Sequence, residues 1–222
     1  MQTALLDSQA AIPVRRAALT ALNNIGTDES IQIILEAVEK DEPILGLHAC
    51  RELGGKDREK ALPWLSKRLK EIEGQYREWR RIRDSERPDF SEEQGKQWAE
   101  QLKAAEPQRF LAFPIAQAIA RIDPNGKGFA LLSHDLADVR AGAWTGLSQT
   151  SDLNLLKKLH AERQASRESL FRHAAYRAID LVLIRLSGGL DLQDRTDLEA
   201  FYGQVKDEEG VGERVEWTLN QL

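Results

Sequence analysis

The chain has 222 residues, 41% hydrophobic and 30% charged, with a formal net charge of −5. That length can bury a core, and that apolar share is too high for a disordered chain. One cysteine excludes a disulfide framework or Cys-rich zinc module. No apolar run approaches the ~18 residues of a membrane span, and the first twenty residues lack a basic stretch followed by an apolar one. A soluble cytoplasmic globular protein is expected.

Residues 1–8 read as the tail of a helix whose partner is missing, as in a degenerate cap or in a piece cut from a longer array. Val14 to Leu22 then form the first of several related segments. Gly26 suits a left-handed helix stop, and Thr27 or Asp28 suits the cap of the next helix. That next helix carries Ile31, Ile34, Leu35 and Val38 at i, i+3, i+4 and i+7. A second copy starts near Glu42, runs through Leu47, Ala49, Cys50 and Leu53, and ends in Gly54-Gly55-Lys56-Asp57.

The repeat is then interrupted. Leu62, Leu65, Leu69, Ile72, Tyr76 and Trp79 form one seam, which predicts a long helix over about 62 to 84 with Pro63 in its first turn. Glu86 to Asp89 stops it. Ser91 with Gln94 predicts a capping box for a return helix carrying Trp98 and Leu102. Residues 56–87 hold eleven Lys or Arg against seven Asp or Glu, a net of +4. Seven of the fourteen aromatics lie between Trp64 and Phe113, so this insert is expected to have its own small core, with Tyr76 and Trp79 packing on Trp98.

Further copies start at 111, 139 and 171. The 139 copy, Val139 to Leu147, matches the first at Val, Arg, one Ala, Thr and the final Leu. The turn Asp123 to Gly128 lacks the spacing of a phosphate loop and has no strand before it, so it reads as the turn of the third repeat. After Gly189 the pattern changes. Thr196 with Glu199 predicts a capping box before Leu198, Phe201, Tyr202 and Val205, and a last helix carries Val211, Val215, Leu219 and Leu222. Residues 190–222 hold nine acids against three bases, a net of −6. That suits a polar capping unit.

The Val-Arg-x-x-Ala-x-x-x-Leu core, followed by Ile-Gly and an Asp-containing turn, resembles HEAT repeats, closest to the short variety named after phycobilisome lyases. The resemblance implies an all-α solenoid, a right-handed superhelix of helical hairpins over residues 1–189. It would be interrupted by the helical hairpin at about 62–105 and closed by the acidic cap at 190–222. It also implies a non-catalytic scaffold or adaptor, or the repeat region of a larger protein, whose partner is another protein, with no cofactor and no membrane. Arg15, Arg140 and Arg172 share one repeat position, and the resemblance implies a ladder to acids of neighbouring turns such as Asp41 and Asp138.

Two docking surfaces are expected. One is the insert, where Arg77, Arg80, Arg81, Arg83 and Arg87 cluster beside Tyr76 and Trp79, residue types enriched at binding hot spots. The other is the face that second helices usually line in such solenoids: Glu29, Gln32, Glu36 and Lys40, then Lys157, Lys158, His160 and Arg163. No metal-ligand spacing links His48, His134, His160 and His173, and Cys50 sits at a core position. Two enzyme families resemble the repeats as well. Bilin lyases would require a tetrapyrrole. HEAT-like alkylpurine glycosylases resemble a basic cleft lined by Trp and Asp, whereas Trp144 is expected to face the core and the pI is about 5.5.

Overall fold

Helix boundaries in the computed structural model follow the local chemistry closely. The structure describes residues 1–7, 9–40, 43–53, 59–84, 92–104, 111–150, 152–165, 169–188 and 192–221. Every regular element among them is helical. Gly26 takes φ 69° and ψ 10°, and its N–H donates to the Leu22 carbonyl at 3.2 Å, ending the first long helix. Thr27 starts the next: its Oγ1 accepts from the Ser30 N–H at 3.2 Å.

Two units divide the chain, Met1–Ile115 and Ala116–Leu222. In the first, α1 (Gln2–Leu6) packs on α2 (Ile12–Ile25) and α3 (Asp28–Lys40). Helix α4 (Pro43–Leu53) packs on α2 and α3. Each helix thus touches the next and the next but one, the two-layer stacking of a helical-hairpin repeat. A 3-10 turn, Glu59–Ala61, rests on α3 and leads into α5 (Leu62–Asp84), which pairs with α6 (Glu92–Ala104). The long helix spans the residues its seam predicts.

Small residues at the centre of α2 and α4, namely Ala18, Ala49 and Cys50, are buried, as close helix approach requires. Leu19, Ile34, Leu53, Leu65 and Ile72 are buried as well. Each such side chain contributes roughly 1.5–3 kcal/mol relative to exposure. Ile33 and Ala37 widen the buried stripe of α3 beyond the four positions read from spacing. Glu52 ties α4 to α2 by accepting from Thr20 Oγ1 at 3.3 Å and Asn23 Nδ2 at 3.1 Å.

Helix α7 (Ala112–Ile122) crosses the boundary between the units. In the second unit it is followed by a single turn, α8 (Lys127–Ala130), and a 3-10 turn, Leu131–Ser133. The second helix of this repeat is therefore reduced to a fragment. Gly128 packs so tightly that a Cβ there would lie 2.4 Å from the Ala120 Cα. Helices α9 (Ala137–Leu147), α11 (Ser169–Leu186) and α13 (Val211–Asn220) stack in one layer, and α10 (Leu153–Ala165) and α12 (Leu192–Val205) in the other. One core joins Trp144, Leu156, Leu159, Val182, Phe201 and Val215.

One local expectation fails for a physical reason. Helix α12 begins at Leu192, so Thr196 lies inside it and cannot cap it, and Glu199 instead pairs with Arg195 one turn earlier at 3.2 Å. The repeated arginine also uses backbone acceptors, and Asp41, one acid of the expected ladder, lies outside the described residues. Arg15 Nε donates to the Leu5 carbonyl at 3.1 Å, and Arg140 Nη1 to the carbonyls of His134 and, at 3.0 Å, Asp135. Arg15 thereby satisfies a carbonyl that the end of α1 leaves without a helical donor. The Arg172 side chain, the capping box at Ser91 and the turn Gly54–Asp57 lie outside the described residues.

Candidate docking surfaces

Along α5 the environment changes sharply. Leu65, Leu69 and Ile72 are buried, but Tyr76 and Trp79, which continue the same seam, are only half-buried, and Gly74, Gln75, Arg77 and Arg80 are exposed. The outer half is braced by α6, whose Trp98 Nε1 donates to the Ile82 carbonyl at 3.3 Å. That carbonyl lies in the last turn of α5.

On this outer half, Tyr76, Trp79, Arg80 and Arg83 share one face at i, i+3, i+4 and i+7. The Tyr76 and Trp79 rings stack with centroids 5.9 Å apart. Arg80 lies over Tyr76 at 4.9 Å and donates to its hydroxyl at 3.1 Å, and Arg83 lies over Trp79 at 4.8 Å. Aromatic faces attract such cations and hold the guanidinium planes in place.

The arginines of the cluster are not equivalent. Arg81 makes a two-pronged pair with Glu78 at 2.9 and 2.7 Å, and Arg83 does the same with Asp84 at 2.7 and 3.1 Å. The bond from Arg81 lowers the Glu78 carboxyl below its ordinary value, and the bond from Arg83 does so for Asp84. Arg77 and Arg80 form no ion pair among the described residues, and both are exposed. Arg87 lies outside the described residues.

On the other expected surface, several α10 side chains are engaged within their own unit. Arg163 pairs with Glu208, in the turn between α12 and α13, and lies over the Tyr176 ring at 5.6 Å. His160 Nε2 sits 2.5 Å from the other Glu208 oxygen, with its ring edge-on to Phe201 at 5.4 Å. Gln164 adds a third donor at 3.4 Å. Burial alone would raise the Glu208 carboxyl, but the bonds and charges of His160 and Arg163 hold it below the ordinary value. Lys158 donates to Asn125 Oδ1 at 3.1 Å, and Asn125 in turn donates to Asp152 Oδ2 at 2.8 Å. Burial opposes ionisation of Asp152 too, yet the Asn125 amide and the N–H groups of Leu155 and Asn154 keep it low. Lys157 is half-buried on α10. On α3, Glu29 and Gln32 are exposed and Glu36 is half-buried; the Lys40 side chain lies outside the described residues.

The remaining candidates for chemistry resolve into structure. In the turn before α8, the Asp123 carboxylate accepts from the N–H groups of Gly126 and Lys127 at 3.0 and 2.8 Å, so the donors a phosphate would need are taken. His134 Nδ1 accepts from the Leu136 N–H at 3.0 Å and shapes the start of α9. His48 is held below its ordinary pKa by burial, with the Arg16 and Arg51 charges adding to it. Burial pushes the Cys50 thiol up to about 12, an inert group rather than a nucleophile. Trp144 is buried in the core. Among the described residues no group of three or more His, Cys, Asp or Glu is placed to hold a metal ion, and no helix is long and apolar enough to cross a membrane. The side chain of His173 lies outside the described residues.

Sequence reasoning missed Glu208, 48 positions from His160, because no local spacing announces such a contact. The Asp152 cap was legible in principle, as an Asp directly before an apolar helical run. No curated protein and no solved structure matches the chain. Residues 3–82, a little over a third of the chain, match the family model described as HEAT repeats. The match ends within the outer half of α5. Over this segment the chain is similar to HEAT repeats, and every regular element among the described residues is helical.

Proposed function

We propose that the chain is a non-catalytic protein-recognition scaffold, and that the outer half of α5 is an arm that docks an acidic surface of a partner protein. HEAT repeats generally mediate protein–protein interaction. The observation that carries the finer reading is the pair Arg77 and Arg80, exposed and without an ion pair among the described residues, beside a Tyr76–Trp79 stack. A guanidinium already laid on an aromatic ring loses little rotamer freedom when it meets a carboxylate. The arm is favoured over the α10 face because Arg163 and Lys158 are engaged within their own unit. A cytoplasmic adaptor role belongs to this same proposal.

The test separates charge from availability. Arg77→Gln/Arg80→Gln and Arg81→Gln/Arg83→Gln remove the same net charge from the same helix. Capture of the native partner from lysate, followed by titration of the purified pair, should show the first variant binding about 30-fold or more weaker, as loss of an anchoring arginine implies. The second should bind within a few-fold of wild type. Equal loss in both would reduce the arm to a diffuse positive field, and no loss in either would remove it from recognition.

A further inference from the structure

The surface that Arg77 and Arg80 seek must place carboxylates at helical spacing, and this chain carries such a surface on α13. Glu213 and Glu216 are exposed there, three residues apart, with Glu209 and Asp207 exposed in the turn before. Trp217, next along, is 41% exposed, although most large apolar side chains in this unit are buried. Its ring carries Arg214 at 5.0 Å, and Arg214 also pairs with Asp180 of α11. Residues 190–222 have a net charge of −6, against +4 for residues 56–87. None of Asp207, Glu209, Glu213 and Glu216 forms an ion pair among the described residues.

The spacings match as well as the charges. Three helical residues rise about 4.5 Å, so Arg77 and Arg80 are separated along their axis as Glu213 and Glu216 are. In an antiparallel alignment Arg80 faces Glu213, Arg77 faces Glu216, and Tyr76 then faces Trp217. One register therefore joins two ion pairs and an aromatic pair. No parallel register does so with the same residues, because Trp217 would then fall opposite Arg81.

From this match we infer that the chain associates head to tail with a second copy of itself, the outer half of α5 of one copy lying on α13 of the next. The inference rests on the reading of the arm as a carboxylate-seeking surface. Each copy offers one arm and one acidic face, so the same contact can close reciprocally between two copies or run on into a ring or short chain. One helix face against another is small beside the roughly 1,600 Å² of a standard interface, so association is weak and salt-sensitive.

Sedimentation of the full chain at low salt, from about 1 to 200 µM, reads this directly. The mass of the wild type should rise with concentration and fall back toward 25.0 kDa in about 0.5 M salt. Arg77→Gln/Arg80→Gln and Glu213→Gln/Glu216→Gln should each remain monomeric, with unchanged helical circular dichroism. Mixed, they should form a one-to-one heterodimer, because one intact arm and one intact acidic face remain. A chain carrying Arg77→Glu, Arg80→Glu, Glu213→Arg and Glu216→Arg together should associate again. A monomeric wild type at the highest concentration overturns the inference, as does a mixture that stays monomeric. If the wild type is monomeric while Arg77→Gln/Arg80→Gln still loses its captured protein, self-association falls and the scaffold reading stands.

Discussion

The outer half of α5 and the junction of α10 with the α12–α13 turn use the same residue types to opposite ends. On α5, Arg81 and Arg83 pair with carboxylates within three residues, in water, whereas Arg77 and Arg80 form no ion pair among the described residues, the Arg80 charge acting on Asp84 only at longer range. At the junction, Arg163 and His160 converge on a single carboxylate 45 and 48 residues away, where Glu208 is one-quarter exposed. A local pair costs the chain little to form and adds little. A distant pair fixes two segments together and excludes water from both. An arginine count therefore does not identify a docking surface; the origin of each arginine's partner does.

The contrast is broken most severely by displacing the Glu208 turn. Gly210, two residues on, has φ +80°, and a Cβ there would lie 2.3 Å from the Tyr176 hydroxyl. Gly210→Val should destabilise the protein by about 2–4 kcal/mol, from backbone strain and displacement of Tyr176 together. Glu208→Ala alone should cost about 2 kcal/mol, less than a fully buried pair because water reaches part of the carboxylate. The double variant should lose much less than the sum, since both changes abolish one docked turn. Additive losses in urea unfolding would show that Gly210 and Glu208 act independently and that the junction is not one device.

How much of this could be read from the amino-acid order depends on range. The bounds of α5, the Gly26 stop and the Thr27 cap were legible because each is decided within four residues. The capping box at Thr196 was misread because α12 begins four residues earlier, at Leu192. The arginine at the repeat position was recognised, but its backbone acceptors were not: a carbonyl at the end of α1, or in the turn before α9, carries no signal in side-chain identity. Arg163 was placed on a docking face because it lies on a second helix of a repeat, and such helices usually line that face. Nothing within a turn of it reveals Glu208.

A pH series sharpens the comparison next. Glu208 is depressed in the folded protein, so its contribution is fully present above the ordinary value of 4.5 and is lost as pH falls through the lower native value. The difference in unfolding free energy between wild type and Glu208→Gln should shrink as the pH is lowered below the ordinary carboxylate value of 4.5. A difference that grows on acidification would mean that the carboxyl is raised by burial and that the bonds from His160 and Arg163 do not dominate.

The smallest expected effect is also the most discriminating. Arg163→Gln and Arg81→Gln each remove one guanidinium from one carboxylate. Arg163 is 20% exposed and its loss leaves Glu208 with fewer donors in a partly buried site, so thermal unfolding should fall by several degrees, about 1–2 kcal/mol. Arg81 is 74% exposed, and Glu78 recovers water when the arginine goes, so the midpoint should stay within about a degree. The same reasoning fixes the binding side: a side chain whose loss leaves stability untouched is free to be judged by capture alone. Should Arg81→Gln lower the midpoint as far as Arg163→Gln, the Glu78 pair would be a structural element of α5, and the distinction between its paired and unpaired arginines would no longer define the arm.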